Sequence, residues 1–390
     1  GVWPEHPSFA ARPDLPKAPT RPDGTALPCV FGNNPLTPAS KPFICNNKLV
    51  SGQEFLQTYT AVTGDQPYKG TARDAEGHGT HTTSTAGGNP LAKAVLFGVD
   101  RGPVQGIAPG AQLAQYRVCG PGGCFGSDTT AAVEQAVLDG ADVISFSISG
   151  GSTPFADPTE LAFLDAYAAG IFVSASAGNS GPTAGTTDHL GPWVTTVAAS
   201  SQSRAFVSTL TLQAGTATVA VQGASIMGGT GPHPVLRAAS AAGYDALCST
   251  PAKPGSFAGA IVICLRGGNG RVNKGQNVLA GGAAGMVLEN SGVQDLETDN
   301  HFLPAVHVDA PQAATVDAFL AAHPTVQASF TAGIREYGHG DVMAAFSSRG
   351  PRGAYLKPDV TSTGVQVLAG NTPTPTPQEV AGTYFQAIAG

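Results

Sequence analysis

Between Leu113 and Ala199 the chain alternates short apolar runs with helical stretches, and this leaves few folds open. Leu113–Val118, Asp142–Ile148, Ile171–Ser176 and Val194–Ala199 read as strands, the second nearly continuous in apolar and β-branched residues. Between them lie two helices. One is capped by Ser127 or Asp128 and runs through Ala131, Val133, Ala136 and Val137 to Gly140. The other spans Pro158–Ala169 and stops at Gly170. Strands of this kind separated by helices predict an α/β fold with a parallel sheet covered on both faces.

The pattern changes near residue 204. Leu210–Val221 alternates polar with apolar residues, as half-exposed antiparallel strands do. A small α/β unit follows: strand Ala260–Leu265, helix Val272–Ala280, strands Gly285–Leu288 and Leu303–Val308, and helix Pro311–Ala322. After Gly333 the earlier style returns. The chain thus reads as one α/β domain, residues 1–205 and 336–390, interrupted by an insert over 206–335. Residues 1–47 are rich in Pro, Asn and Gly and read as irregular. Thr372–Pro377 reads as a short extended surface loop.

The six cysteines form three local pairs, Cys29 with Cys45, Cys119 with Cys124 and Cys248 with Cys264. An even count at such spacings predicts disulfides and a secreted or extracellular protein; the alternative is six unrelated buried thiols. Pro121-Gly122-Gly123 supplies the tight turn that the shortest loop needs. With 12% charged residues and a net charge of −7, the composition argues against a nucleic-acid partner. No apolar stretch reaches the about 18 residues of a membrane span. Oligomeric state is left open.

The chemistry centres on Gly77-His78-Gly79-Thr80-His81. Flanking glycines clear space around His78, whose imidazole suits proton transfer near neutral pH. The following run to Gly87-Gly88 reads as a short helix with a glycine C-cap, with His78 in its first turn and His81 a turn later. The i, i+3 spacing is wrong for zinc, which asks for i, i+4 or a second cluster, so no metal is assigned. Asn179, in Ser176-Ala177-Gly178-Asn179, lies just past a strand end and can donate its amide to a developing oxyanion. Ser147, Ile148, Ser149 and Gly150 end the neighbouring strand. Their small side chains leave backbone groups open for a peptide to add as an extra strand. The remaining histidines, among them His6, His189, His301 and His307, read as surface or strand positions.

In this order the pieces resemble the subtilisin-like serine proteases, most closely the secreted plant-type subtilases with a protease-associated insert. GVWPEHPSF resembles the segment after that family's catalytic aspartate, and DAEGHGTHTTSTAGGN its histidine motif, with His78 as the base. VSASAGNSGP matches the oxyanion motif and gives Asn179 that role. SISGG and SAGN, that is Ser147–Gly150 and Ser176, Ala177 and Gly178, resemble the segments lining the primary specificity pocket. FSSRGP and LKPDV resemble the return after the insert. GAIVICLRG, RVNKGQNVLAGGAAGMVLEN and LPAVHV resemble the protease-associated domain. The resemblance implies a three-layer catalytic domain, a protein or peptide substrate and no cofactor.

Thr361-Ser362-Thr363-Gly364 departs from the family's Thr-Ala-Pro-Gly. The family's aspartate is expected just before Gly1 and its nucleophilic serine just after Gly390. The 390 residues are therefore expected not to hydrolyse peptides alone, and to leave apolar faces uncovered. Asp74 belongs to the histidine motif and is poorly placed to orient His78. Ser347 and Ser348 read as turn serines. Two other readings are a peptide-binding pseudoprotease or interaction module, and a nucleotide-binding protein suggested by Gly267-Gly268-Asn269-Gly270 before a helix. The latter lacks the third glycine of its loop, whose place is taken by Asn273.

Overall fold

The computed structural model describes residues 1–37, 39–64, 68–292, 294–374 and 382–390. In chain order its principal strands are β1 (Leu49–Glu54), β2 (Leu113–Arg117), β3 (Val143–Phe146), β4 (Phe172–Ser176) and β5 (Thr195–Ser200). Next come β6 (Arg204–Ala214), β7 (Ala217–Ala224), β8 (Thr230–Arg237), β9 (Ile261–Leu265), β10 (Gly285–Glu289) and β11 (Ala305–Val308). The last are β12 (Gln327–Phe330), β13 (Ile334–Tyr337), β14 (Val360–Thr363), β15 (Val367–Gly370) and β16 (Phe385–Ile388). The helices are α1 (Gln57–Thr63), α2 (His78–Gly87), α3 (Gly126–Leu138), α4 (Pro158–Ala168), α5 (Arg271–Ala280) and α6 (Ala310–Ala322). The chain packs as two compact units, one formed by Gly1–Ala199 with the return segment from Ser347, the other by Ser200–Phe346.

In the first unit β3, β4 and β5 run parallel, with β14 beside β5, and β1 pairs in parallel with β2. The predicted strands are all present: β2 and β4 are each one residue shorter than read, β3 is three shorter and β5 is shifted by one. Side chains alternate across the sheet, so Ile144, Val173 and Ala175 point to one face. There they meet Val133 and Ala136 of α3 and Ala162, Phe163 and Ala166 of α4. At β2 both faces are covered: Tyr116 packs with the α3 side, while Gln115 accepts a hydrogen bond from Thr83 of α2 at 2.9 Å. At β3 and β4 the described residues cover one face. On the other, Val143 and Phe172 are 59% and 54% exposed.

The helix signals were read correctly in kind and once misassigned in detail. Asp157 caps α4 by accepting from the backbone N–H groups of Thr159 and Glu160, and Pro158 fills the first turn. Asp128 does not cap α3. Its carboxylate accepts from Thr58 N at 2.9 Å and Tyr59 N at 2.8 Å, and so holds the start of α1. Ser127 instead meets the Thr58 hydroxyl at 2.6 Å. A free helix start can recruit a carboxylate from anywhere in the chain, and here the donor groups of α1 outcompete those of α3.

The second unit is built around a ring of seven strands, β6–β7–β11–β10–β9–β8–β12, closed by β12 against β6. The run read as half-exposed becomes the antiparallel hairpin β6–β7, turning at Gly215. Strands β8 to β11 are parallel and carry α5 and α6. Ile261 and Ile263 point into one apolar cluster with Val316 of α6. Val262 and Cys264 point into another with Val278 of α5.

All three cysteine pairs are disulfides, and Cys119–Cys124 closes a two-residue hairpin at the predicted turn. Of Thr372–Pro377, residues 375–377 lie outside the described residues. Thr372, expected on the surface, is fully buried, and its hydroxyl donates to the Asp74 carbonyl. Among the histidines His307 lies in a strand, as read. His6 and His301 are instead buried, and burial lowers both to about 4. Their neighbours show why: His6 bridges Tyr384 O and Ser8 N, and His301 sits in a closed loop whose acids Glu297 and Asp299 pair with Arg271. His189 is treated with the site.

Asp128→Ala removes two bonds at a helix start and should cost about 1–2 kcal/mol in chemical denaturation. Ser127→Ala, losing one exposed hydroxyl contact, should stay within about 0.5 kcal/mol.

Candidate active site

The C-terminal ends of adjacent parallel strands bring two of the predicted segments together. Phe146 of β3 is in register with Ala175 of β4, so Ser147–Gly150 and Ser176–Gly178 leave the sheet side by side. Sites of parallel α/β sheets form at such an edge. Ser147, Ser149 and Gly150 are exposed and Ile148 is half-buried. Ser176 is half-buried, Ala177 and Gly178 are buried, and Asn179 is exposed.

The loop that presents Asn179 is held from both sides. Ala177 donates to Val197 O at 2.8 Å and accepts from Asp188 N at 2.9 Å. Ser348 then brackets the next two residues: its N–H donates to Gly178 O at 2.9 Å and its hydroxyl accepts from Ser180 N at 3.0 Å. Gly178 has φ 93°, and a Cβ there would stand 2.8 Å from Asp188 Oδ2 and 2.9 Å from Ser348 Oγ. Both the dihedral and the space therefore demand glycine. Ser347 and Ser348, read as turn serines, are fully buried; Ser347 Oγ accepts from Ala199 N at 3.0 Å. Ser348 thus anchors the Asn179 loop, while Ser347 anchors the end of β5.

His78 opens α2, and its backbone N–H is capped by Glu76 Oε2 at 2.9 Å. The turn before it is shaped by Asp74, whose carboxylate accepts from Glu76 N, Gly77 N and Thr80 N at 2.9 Å each and from Thr80 Oγ1 at 2.5 Å. All of its bonding capacity goes to the loop, so Asp74 does not orient the imidazole. Gly88 caps the far end as read, with φ −59° rather than left-handed. Gly79 is a close approach, because a Cβ there would collide with the Gly1 carbonyl oxygen.

The two histidines of the motif have opposite environments. His78 is exposed, and among the described residues its ring has no hydrogen-bond partner. His81 is 5% exposed, its Nε2 donates to Val367 O at 2.8 Å, and burial lowers it to about 4. His81 is therefore a neutral tether at neutral pH, and His78 is the histidine whose ring is exposed.

That tether links α2 to the Asn179 loop. Val367 of β15 faces Ile388 of β16, and two residues further Gly390 donates to Gly364 O at 2.8 Å. A Cβ on Gly390 would stand 3.6 Å from the Asn179 amide nitrogen. Gly1 thus lies against the residue after His78, and Gly390 against Asn179.

Two buried side chains lie against these segments and were not anticipated from the sequence. His189, read as a surface or strand histidine, is 1% exposed in a loop, and its Nδ1 lies 2.6 Å from Oε1 of Glu160, which is fully buried. Its Nε2 donates to Ile148 O at 2.7 Å and its backbone N–H to Gly150 O at 2.9 Å. The carbonyls of Ile148 and Gly150 are therefore engaged rather than open. Burial alone would lower His189, but the Glu160 carboxylate and the Ile148 carbonyl outweigh it and hold the ring above its ordinary value. Glu160, one of two acidic residues in an otherwise apolar helix, was the available signal; its partner, in a loop beyond the next strand, gave none.

Comparison with known proteins converges on one family. A model described as the subtilase family matches residues 3–390. Subtilisin-like protease SBT1.4 of Arabidopsis thaliana is 38% identical over 393 residues, covering 95% of this chain and 49% of that protein. Subtilisin-like protease SBT5.3 of the same plant is 36% identical over 423 residues, covering 100% and 52%. The chain spans about half the length of these curated relatives. The solved structure of the psychrophilic subtilisin-like protease Apa1 from the Antarctic psychrotroph Pseudoalteromonas sp. AS-11 is 16% identical, with a TM-score of 0.33 over 75% of each chain.

The depressed His81 makes a pH prediction with a definite sign. Folded His81 takes up its proton near pH 4, the unfolded chain near 6.5. The unfolded state therefore binds protons first as pH falls. The contribution is complete above about 6.5 and is lost on descent through 4, by roughly 3 kcal/mol. Both tryptophans, Trp3 and Trp193, lie in the first unit, so their fluorescence reports it alone. His81→Gln should lower the acid slope of its unfolding free energy by one proton.

Proposed function

The chain belongs to the subtilase family, and from that premise we propose that it is the central part of a serine endopeptidase working through an acyl-enzyme. In this reading His78 is the general base. It takes the proton of the nucleophilic serine as that oxygen attacks the scissile carbonyl, then returns it to the leaving amine. The observation that carries the assignment is the contrast within one motif: an exposed, unencumbered His78 beside a buried His81 committed to Val367 O. Asn179 would donate its amide to the tetrahedral oxyanion, supported by an exposed side chain on a loop fixed by buried Ser348.

The resemblance assigns the orienting aspartate and the serine to residues flanking these 390. Gly1 against Gly79 and Gly390 against Asn179 support it, since residues joined there would start beside the base and beside the amide. We take 1–205 and 336–390 as the catalytic domain. Residues 206–335 are the insert, read as protease-associated from its parallel β8–β11 core with α5 and α6. Three disulfides favour a secreted or extracellular setting. A protein or peptide is the substrate, with Ser147–Gly150 and Ser176–Gly178 against it, and among the described residues no His, Cys, Asp or Glu cluster suits a metal ion.

Two measurements test the reading. A fluorophosphonate probe should leave residues 1–390 unlabelled and should label the full-length protein at a serine beyond Gly390; stoichiometric labelling within 1–390 would sink it. In the full-length protein Asn179→Ala should lower kcat by about 100- to 1000-fold with little change in KM. An unchanged kcat would remove Asn179 from the site.

A further inference from the structure

The Glu160–His189 pair is an unusual thing to bury at the edge of a substrate cleft. Both side chains are almost wholly excluded from water, at 0% and 1% exposure. Buried ion pairs seldom repay their desolvation in stability; where they are kept, fixing one arrangement against others is the better-attested use. What this pair fixes can be read from its bonds.

The ring of His189 packs edge-on against both Phe146 and Phe163, with centroids 5.4 and 5.9 Å away. Its two nitrogens both face oxygen: Nδ1 the Glu160 carboxylate, Nε2 the Ile148 carbonyl. A carbonyl only accepts, so Nε2 carries a proton, and the Nδ1–Glu160 contact holds another between ring and carboxylate. His6 shows the contrasting neutral arrangement, with Nδ1 accepting from Ser8 N while Nε2 donates to Tyr384 O. The second oxygen of Glu160 accepts from Gly191 N at 3.1 Å, and Thr196 Oγ1 donates to His189 O at 2.6 Å. The backbone of His189 is left-handed, at φ 52°. The pair is therefore immobilised on every side before it touches Ile148.

Ile148 and Gly150 are two residues apart, and both carbonyls point at His189. In an extended segment alternate residues present their backbone groups to opposite edges. With the Ile148 and Gly150 carbonyls both turned to His189, an extended course at Ser149 sends its N–H and C=O to the other edge; Gly150 itself departs from that course, at φ 141°. Among the described residues neither group has a hydrogen-bond partner, and Ser149 is exposed. An extended peptide adding to this edge would find both groups already aimed.

We propose that Glu160 and His189 act as a positioning pair that holds Ser147–Gly150 extended and turns Ser149 toward an incoming peptide strand. The proposal rests on the protease reading and extends it to residues that never touch substrate. It locates part of extended-substrate affinity in a proton-bridged contact behind the cleft.

The test uses the full-length protein, with Glu160→Gln, His189→Gln and the double variant. Two quantities are followed: KM and kcat for a peptide amide occupying several subsites before the scissile bond, and the rate of fluorophosphonate labelling, which needs serine and base but no peptide strand. The expected result is a rise of about tenfold or more in peptide KM, with kcat and labelling affected far less. The double variant should be no worse than either single one, since each breaks the same unit. Unchanged KM in both single variants would overturn the proposal. So would parallel loss of labelling and peptide cleavage, which would make the pair a support of the whole unit rather than of the strand. If the unsubstituted full-length protein neither labels nor cleaves, the protease reading itself fails, and that outcome is distinct from either of the others.

Discussion

The carboxylate of Asp74 accepts four hydrogen bonds from a span of five residues, and the site is assembled around that knot. Three come from the backbone of Glu76, Gly77 and Thr80, the fourth from the Thr80 hydroxyl. The knot turns the chain into α2 with His78 first in the helix. It also reaches outward: Asp74 N donates to Val2 O, Thr80 Oγ1 accepts from Trp3 N, and Thr372 Oγ1 donates to Asp74 O. Asp74, through its carboxylate and its backbone, and Thr80 thus fix the histidine turn, the first residues of the chain and the return segment on one another. A carboxylate so saturated cannot also orient an imidazole, so in the proposed role His78 would take its partner from elsewhere.

Legibility followed range. Strand and helix periods are local, so β2 to β5, α3 and α4 were found from their residues, and the glycine-rich histidine turn and the Asn179 loop stood out as motifs. The cysteine pairs were legible because each closes a short loop. What failed was any property set by a distant partner. Asp128 has the spacing of a cap for its own helix, yet it bonds Thr58 and Tyr59 some seventy positions earlier. Ser348 is an ordinary turn serine in sequence and becomes the bracket of Asn179 only when the return segment crosses the loop. Thr372, within a run of alternating Thr and Pro, is buried because Asp74 lies above it.

Histidine was the hardest residue to read, since its role depends on burial and on what faces each nitrogen. His78 and His81 are three residues apart on one helix, and one is exposed while the other is tied to Val367 O. His6 is neutral and bridging, and His189 shares a proton with Glu160. No spacing rule separates these four cases. Desolvation does: it drives a buried imidazole to the neutral form unless, as at His189, a buried carboxylate bonds the ring itself.

The same sorting governs the site as a whole. The groups proposed to meet a substrate, His78, Ser149 and Asn179, are exposed, and each is mounted on polar groups that are not: Asp74, the Glu160–His189 pair and Ser348. An exposed side chain on a flexible loop would spend binding energy on being ordered each time a substrate arrived. Burying the supporting hydrogen bonds moves that ordering into the folding of the chain, where it is met once. The cost falls on the anchors, which must be satisfied in a dry environment and so tolerate little substitution. Loss of an anchor in such an arrangement is read first in the geometry of the exposed group it carries, and only then in the stability of the fold.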